Sequence, residues 1–81
     1  MNELVGTIEV KDIANNITKL RKRIGMNQSE FARSLGISRT GLYLYESGKR
    51  IISTEMMLKI YEKFSFTPNE ILGINRMKSF E

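Results

Sequence analysis

The chain has 81 residues, a formal charge of +4 and a pI near 9.6, and it contains neither Cys nor His. The sequence therefore excludes disulfides and thiolate metal sites. It also has no obvious residues for zinc chemistry or for His-based acid–base catalysis. No apolar run approaches the roughly 18–20 residues that span a membrane, and no signal-peptide pattern opens the chain. One soluble, cytoplasmic domain without membrane contact is therefore expected.

Residues 1–12 form an N-terminal extension, in which Leu4, Ile8 and Val10 alternate onto one side. This pattern is typical of a short strand, but the sequence offers no second strand for it to pair with. The extension is therefore expected to be either a disordered leader or a strand that pairs with its copy in a second subunit.

The first predicted helix covers residues 13–24, with Asp12 as its N-cap and Gly25 as its stop. Apolar residues recur along it at helical spacing, and these are Ile13, Ile17, Leu20 and Ile24. The cations at Lys19–Arg23 come late in this helix, where they suit the negative end of its dipole. A merely solvated basic helix is the alternative for these cations taken alone.

Residues 26–48 are typical of two short helices with a tight break. Asn27 caps the first, and Gly36 ends it because Gly adopts positive φ without a Cβ clash. Ser38 caps the second, which Gly48 stops. A helix of about eight residues, a turn of about three and a helix of about ten form the helix-turn-helix pattern. The core of this pair is expected to consist of Phe31, Ala32, Leu35, Ile37, Leu42 and Tyr45.

Two further helices follow, and they complete an all-α, compact five-helix bundle over residues 13–73. Ser53 caps the fourth helix, whose inner face is expected to hold Met57, Ile60, Tyr61 and Phe64. Thr67 and Glu70 form a capping box for the fifth helix, with Pro68 at its first position. The tail over residues 74–81 either extends this helix or stays loose. The apolar pair Ile51-Ile52 is expected to be exposed and to favour a subunit contact.

The positive charge is concentrated in the first three predicted helices and the loop that follows them. Residues 13–50 carry +6, while residues 1–12 carry −2 and residues 51–81 are balanced. Such a concentration is expected of a phosphate-binding surface.

Six residues of the central motif form a specific combination of residue type and spacing. They are Gln28, Ala32, Gly36, Ser38, Glu46 and Gly48. With them, residues 13–73 resemble the phage repressor and Cro helix-turn-helix family, also called the xenobiotic-response-element family of bacterial and phage regulators. The resemblance implies a lambda-repressor-like fold and a sequence-specific transcriptional regulator, most often a repressor. It also implies a homodimer on a pseudo-palindromic operator in double-stranded DNA, with no cofactor and no small-molecule ligand.

The resemblance also implies a role for each matching residue. The helix at about residues 38–47 enters the major groove. Its expected base contacts are Arg39, Thr40, Tyr43 and Leu44. The expected phosphate contacts are Gln28, Ser29, Arg21, Ser47, Lys49 and Arg50. Arg21 and Glu46 match positions that form an internal ion pair.

A protein-interaction module, either antitoxin-like or an adaptor with weak or no specific DNA binding, is the alternative. The unusual Gly41 and Leu44 and the apolar Ile51-Ile52 pair favour it, and the concentrated positive charge opposes it. An enzyme is not expected, because no nucleophile is paired with a base and no Gly-rich loop cradles phosphate.

Overall fold

The computed structural model describes residues 8–74, which form five α-helices. They are α1 (Val10–Arg23), α2 (Gln28–Leu35), α3 (Arg39–Glu46), α4 (Thr54–Phe64) and α5 (Pro68–Leu72). The predicted all-α, five-helix fold is therefore confirmed for this part of the chain. Residues 1–7 of the predicted N-terminal extension and residues 75–81 of the tail lie outside the described residues. Val10, which the sequence places in a short strand, is instead the first residue of α1, so the extension ends before residue 12. Between residues 8 and 74 no helix has the length and apolar character needed to cross a bilayer.

Side-chain caps begin four of the five helices, at the residues that the sequence predicts. Asn27 Oδ1 accepts a hydrogen bond from the Glu30 N–H at 2.8 Å, and the Glu30 carboxylate accepts one from the Asn27 N–H at 2.9 Å. Gly36 ends α2 with φ of 72°. Caps of this kind contribute about 0.5–2 kcal/mol each, so the ends of these short helices are well defined. The other three caps are Ser38, Ser53 and Thr67.

The first helix begins earlier than predicted. It starts at Val10 with Glu9 as its N-cap, so the assignment of Asp12 as the cap is wrong. The Asp12 N–H instead donates to the Glu9 carbonyl oxygen at 3.0 Å, and the Asp12 carboxylate lies in the first turn. A negative charge there still complements the helix dipole. At the other end, Ile24 is the C-cap and is 38 % exposed, so it leaves the predicted apolar stripe.

The core forms where α1 packs against α3 and α5, while α2 packs against α3 and α4. Its most deeply buried large side chains come from three different helices and are Phe31, Leu35, Leu42 and Ile71. Phe31 also packs against Phe64, with ring centroids 5.1 Å apart. Neither α2 nor α3 is long enough to be stable alone, so this shared core holds both.

Two residues in the second half of the chain are placed differently from the prediction. Ile60 is buried on the inner face of α4, and Met57 and Phe64 pack against the core as predicted, together with the buried Met56. Tyr61, by contrast, is 48 % exposed, so its assignment to the inner face is wrong. Ile52 is buried in the core, so only Ile51 of the pair is exposed. In both cases packing against the other helices decides which side of the backbone faces inward, and local spacing does not reveal it.

We expect Leu35→Ala to lower the free energy of unfolding by about 2–5 kcal/mol, because it leaves a cavity in the centre of the bundle. Leu58→Ala is the matched control, since Leu58 is 51 % exposed and α4 keeps its inner face. It should change stability by less than about 0.5 kcal/mol. Urea denaturation measures both values, and equal losses would contradict the assigned core.

Candidate nucleic-acid interface

A buried ion pair joins the first and third helices. Arg21 Nε donates to Glu46 Oε2 at 2.7 Å, and Arg21 Nη2 donates to Glu46 Oε1 at 3.1 Å. Arg21 Nη1 donates to the Met26 carbonyl oxygen at 2.8 Å, and Gln28 Nε2 donates to Glu46 Oε1 at 3.0 Å. This network links the last turn of α1, the turn that follows it, the first residue of α2 and the last residue of α3.

Because the ion pair is buried, it is stable only if its hydrogen bonds have good geometry. The Arg21 side chain is 10 % exposed and that of Glu46 is 5 % exposed. Two charges removed from water lose hydration, and only a close, hydrogen-bonded arrangement offsets that loss. Here the Arg21 guanidinium donates to both carboxylate oxygens of Glu46 and to the Met26 carbonyl oxygen. Three of its five N–H groups are therefore hydrogen-bonded. The network therefore fixes how α3 sits against α1 and α2.

One side of α3 presents its side chains to solvent, while Leu42 on the other side is buried in the core. Arg39, Thr40 and Tyr43 are exposed, and Leu44 is half-buried. Residues four apart share one face of a helix, so these four positions form a single stripe. Among residues 8–74, no carboxylate lies within ion-pair distance of Arg39. The stripe therefore offers a cation, a hydroxyl and an aromatic ring to a ligand.

The N-terminus of α2 lies beside this stripe. One surface depression is lined by Gln28, Arg39, Thr40 and Tyr43. A second is lined by Arg21, Asn27, Gln28, Ser29 and Arg39. Because Gln28 and Arg39 line both, the two depressions form one surface. The first backbone N–H groups of a helix have no partner within the helix, and here they belong to Gln28 and Ser29.

The loop after α3 brings cations to the other end of that helix. The N–H groups of Lys49 and Arg50 both donate to the Leu44 carbonyl oxygen, at 3.0 and 3.1 Å. Gly48 makes this turn possible with φ of 80°. The side chains of Ser47, Lys49 and Arg50 are exposed. Positive charge thus lies at both ends of α3, with Arg39 at its start.

Gly41 has a packing reason within α3. A Cβ atom at this position would lie 3.3 Å from Ser38 Oγ, which accepts the Gly41 N–H at 2.9 Å. Glycine in a helix costs about 1 kcal/mol relative to Ala, but here it leaves room for the cap.

Some contributing residues were not found from the sequence. Glu30 completes the α2 capping box, and its place three residues after Asn27 is the signal that could have identified it. Lys59 Nζ donates to the Leu35 carbonyl oxygen at 3.3 Å and supports the end of α2. The Met26 carbonyl oxygen is a backbone acceptor, so no residue type indicates it.

Comparison with known proteins identifies the family. The family model described as "Helix-turn-helix domain" matches residues 14–73. The chain belongs to this helix-turn-helix family. The narrower resemblance to the phage repressor and Cro group stays a prediction.

Two curated relatives of this helix-turn-helix chain illustrate the similarity. It is 43 % identical over 65 residues to Antitoxin PezA of Streptococcus pneumoniae serotype 4. It is 34 % identical over 68 residues to a protein of Sulfurisphaera tokodaii that is provisionally named an HTH-type transcriptional regulatory protein. The alignments cover 80 % and 84 % of this chain, but only 41 % and 22 % of the relatives. The chain therefore spans less than half the length of either protein.

We expect Glu46→Ala to lower the free energy of unfolding by about 3–5 kcal/mol, because it leaves the Arg21 guanidinium buried without a counter-charge. The double variant Arg21→Met with Glu46→Leu should recover most of this loss, since no charge is then buried. Urea denaturation measures both.

Glu9→Ala is the matched control, because the pair of Glu9 with Lys11 is exposed. Its loss should stay within about 1 kcal/mol. If the double variant were as unstable as Glu46→Ala, the uncompensated charge would not be the cause.

Proposed function

We propose that the chain is a sequence-specific double-stranded DNA-binding transcriptional regulator that acts as a repressor. The observation that carries this proposal is the exposed stripe of α3 beside the N-terminus of α2, with Arg39 free of any carboxylate in the described part of the chain. The buried network at Glu46 holds the C-terminal end of the helix that carries this stripe. Membership of the helix-turn-helix family supports DNA as the ligand.

In this proposal α3 lies in the major groove, which is about 12 Å wide and admits a helix. Arg39 donates two hydrogen bonds to the O6 and N7 atoms of guanine, the commonest specific contact. Thr40 and Tyr43 contact neighbouring bases, and Leu44 lies against a thymine methyl group. These four residues read the sequence of the operator.

The phosphate contacts hold α3 in register. Gln28 and Ser29 bind one phosphate with the free N–H groups at the start of α2, where the helix dipole favours an anion. Arg21 lines the same depression and has two N–H groups left for that phosphate. The phosphates beyond the other end of α3 are bound by Ser47, Lys49 and Arg50.

The proposed active form is a homodimer in the cytoplasm. A single module of this size buries limited surface on DNA, and two copies add their contacts. Two-fold symmetry then matches a pseudo-palindromic operator, with half-sites about one helical turn, or roughly 34 Å, apart. Bound across a promoter, such a dimer blocks transcription.

An antitoxin-like function with a protein partner is the second candidate. The 43 % identity to a protein named as an antitoxin favours it. So do the exposed apolar side chains of Ile51, Leu58 and Tyr61, because such side chains suit a protein contact. Failure of the full chain to enrich any sequence from random duplexes would favour this candidate over the regulator.

The variant Arg39→Ala tests whether α3 contacts the bases. A site is first selected with the full chain from a pool of random duplexes, and affinities are then measured by fluorescence anisotropy. The variant should bind the selected site about tenfold or more weakly, because one bidentate base contact is lost. Binding to a random duplex should fall much less.

Arg33→Ala is the matched control for that experiment. Arg33 is also exposed, but it lies in the last turn of α2, at the end opposite Gln28. The control should leave the ratio of specific to random binding unchanged. An equal loss on both duplexes for Arg39→Ala would reduce Arg39 to a phosphate contact.

The spacing of half-sites tests the dimer. We expect the selected site to contain two inverted half-sites and to bind two chains, as measured by sedimentation. Inserting five base pairs between them turns one half-site to the opposite side of the duplex, since one turn is about 10–10.5 base pairs. Affinity should then fall to that of a single half-site. Unchanged affinity would indicate that monomers bind independently.

A further inference from the structure

The depression beside the start of α3 has walls of mixed chemistry. Gln28, Arg39, Thr40 and Tyr43 line it. Among these side chains, Tyr43 has an aromatic ring, Thr40 a methyl group, and Arg39 an aliphatic chain that ends in a guanidinium. Gln28 Nε2 is tied to the Glu46 carboxylate at 3.0 Å, so this wall is held by the buried network. The depression is thus lined by both apolar and polar groups, and one of its lining residues is a cation.

Base edges in the major groove offer few apolar groups. Thymine carries a C5-methyl group there, while guanine offers only the acceptors N7 and O6 and cytosine a donor. A cytosine methylated at C5 carries the same methyl group in the same place. A partly apolar depression on a helix that lies in the major groove therefore suits a 5-methylpyrimidine, whose methyl group is the apolar group available there.

The position of Arg39 indicates which neighbour that pyrimidine has. A guanidinium that pairs with O6 and N7 lies in the plane of the guanine ring. Neighbouring bases on one strand are about 3.4 Å apart, which is also a van der Waals contact distance. In such a complex, the face of the guanidinium would pack on a methyl group that projects from the pyrimidine preceding the guanine. Thr40 and Tyr43, which line the depression, would then enclose that methyl group from the protein side.

We propose that this depression binds the methyl group of a 5-methylpyrimidine that immediately precedes the guanine read by Arg39. The chain then selects a 5′-TpG-3′ step, and it binds a 5-methylated CpG step in the same way. Unmethylated CpG leaves the depression empty and binds more weakly. This inference rests on the proposed DNA-binding function and names the base step that the function recognises.

The test uses the full chain and the duplex selected from a random pool. Thymine at the TpG step is replaced by uracil, which removes only the methyl group. Affinity should fall about fourfold for each substituted half-site, the fold-change that burial of one methyl group supplies. Replacing the whole T·A pair by a C·G pair should also weaken binding, and C5 methylation of that cytosine should restore it. Uracil at a thymine outside the half-sites is the control and should change nothing.

A protein variant separates this contact from general weakening. Thr40→Ser keeps the hydroxyl group and removes the methyl group, so it should reduce the preference for thymine over uracil. Because Thr40 is exposed, the variant should melt at the wild-type temperature. A selected site without a pyrimidine–guanine step, or equal affinity for thymine and uracil, would overturn this inference alone. Failure to enrich any sequence would overturn the proposed function as well.

Discussion

The Glu46 carboxylate is the centre on which the arrangement of the first three helices depends. It accepts two hydrogen bonds from Arg21 and one from Gln28. Glu46 is also the last residue of α3, an eight-residue helix that is too short to be stable alone. The bonds at Glu46 hold one end of this helix, and the buried Leu42 holds its middle. The position of Arg39 at the other end follows from both.

This network divides the basic residues into two groups. Arg21 is paired with Glu46 inside the bundle, so its charge mainly stabilises the packing of the helices. Arg39, Lys49 and Arg50 stay exposed and lie at opposite ends of α3. A helix with cations at both ends and an aromatic ring between them fits a groove bordered by two phosphate strands. The fold thus turns a modest net charge into a localised, oriented one, which is the physical basis of the proposed DNA binding.

Local signals in the sequence sufficed for most of the fold. The caps at Asn27, Ser38, Ser53 and Thr67 were predictable because each depends on residues within three positions. The exposure of Tyr61 and the burial of Ile52 were not predictable, since contacts between distant helices determine them. At the candidate site, the hydrogen bond between Gln28 and Glu46 joins residues 18 positions apart. The residue type and position of Gln28 indicated a polar role, but only the folded structure shows that Glu46 is its hydrogen-bond partner.

Methylation interference on the selected operator tests the central claim most directly, because guanine N7 lies in the major groove and adenine N3 in the minor groove. With α3 in the major groove, N7 methylation of one guanine in each half-site should block binding of the wild-type chain. The same methylation should no longer matter for Arg39→Ala, which lacks the contact. Interference confined to adenines, or identical patterns for both proteins, would show that another part of the chain reads the bases and would contradict this account.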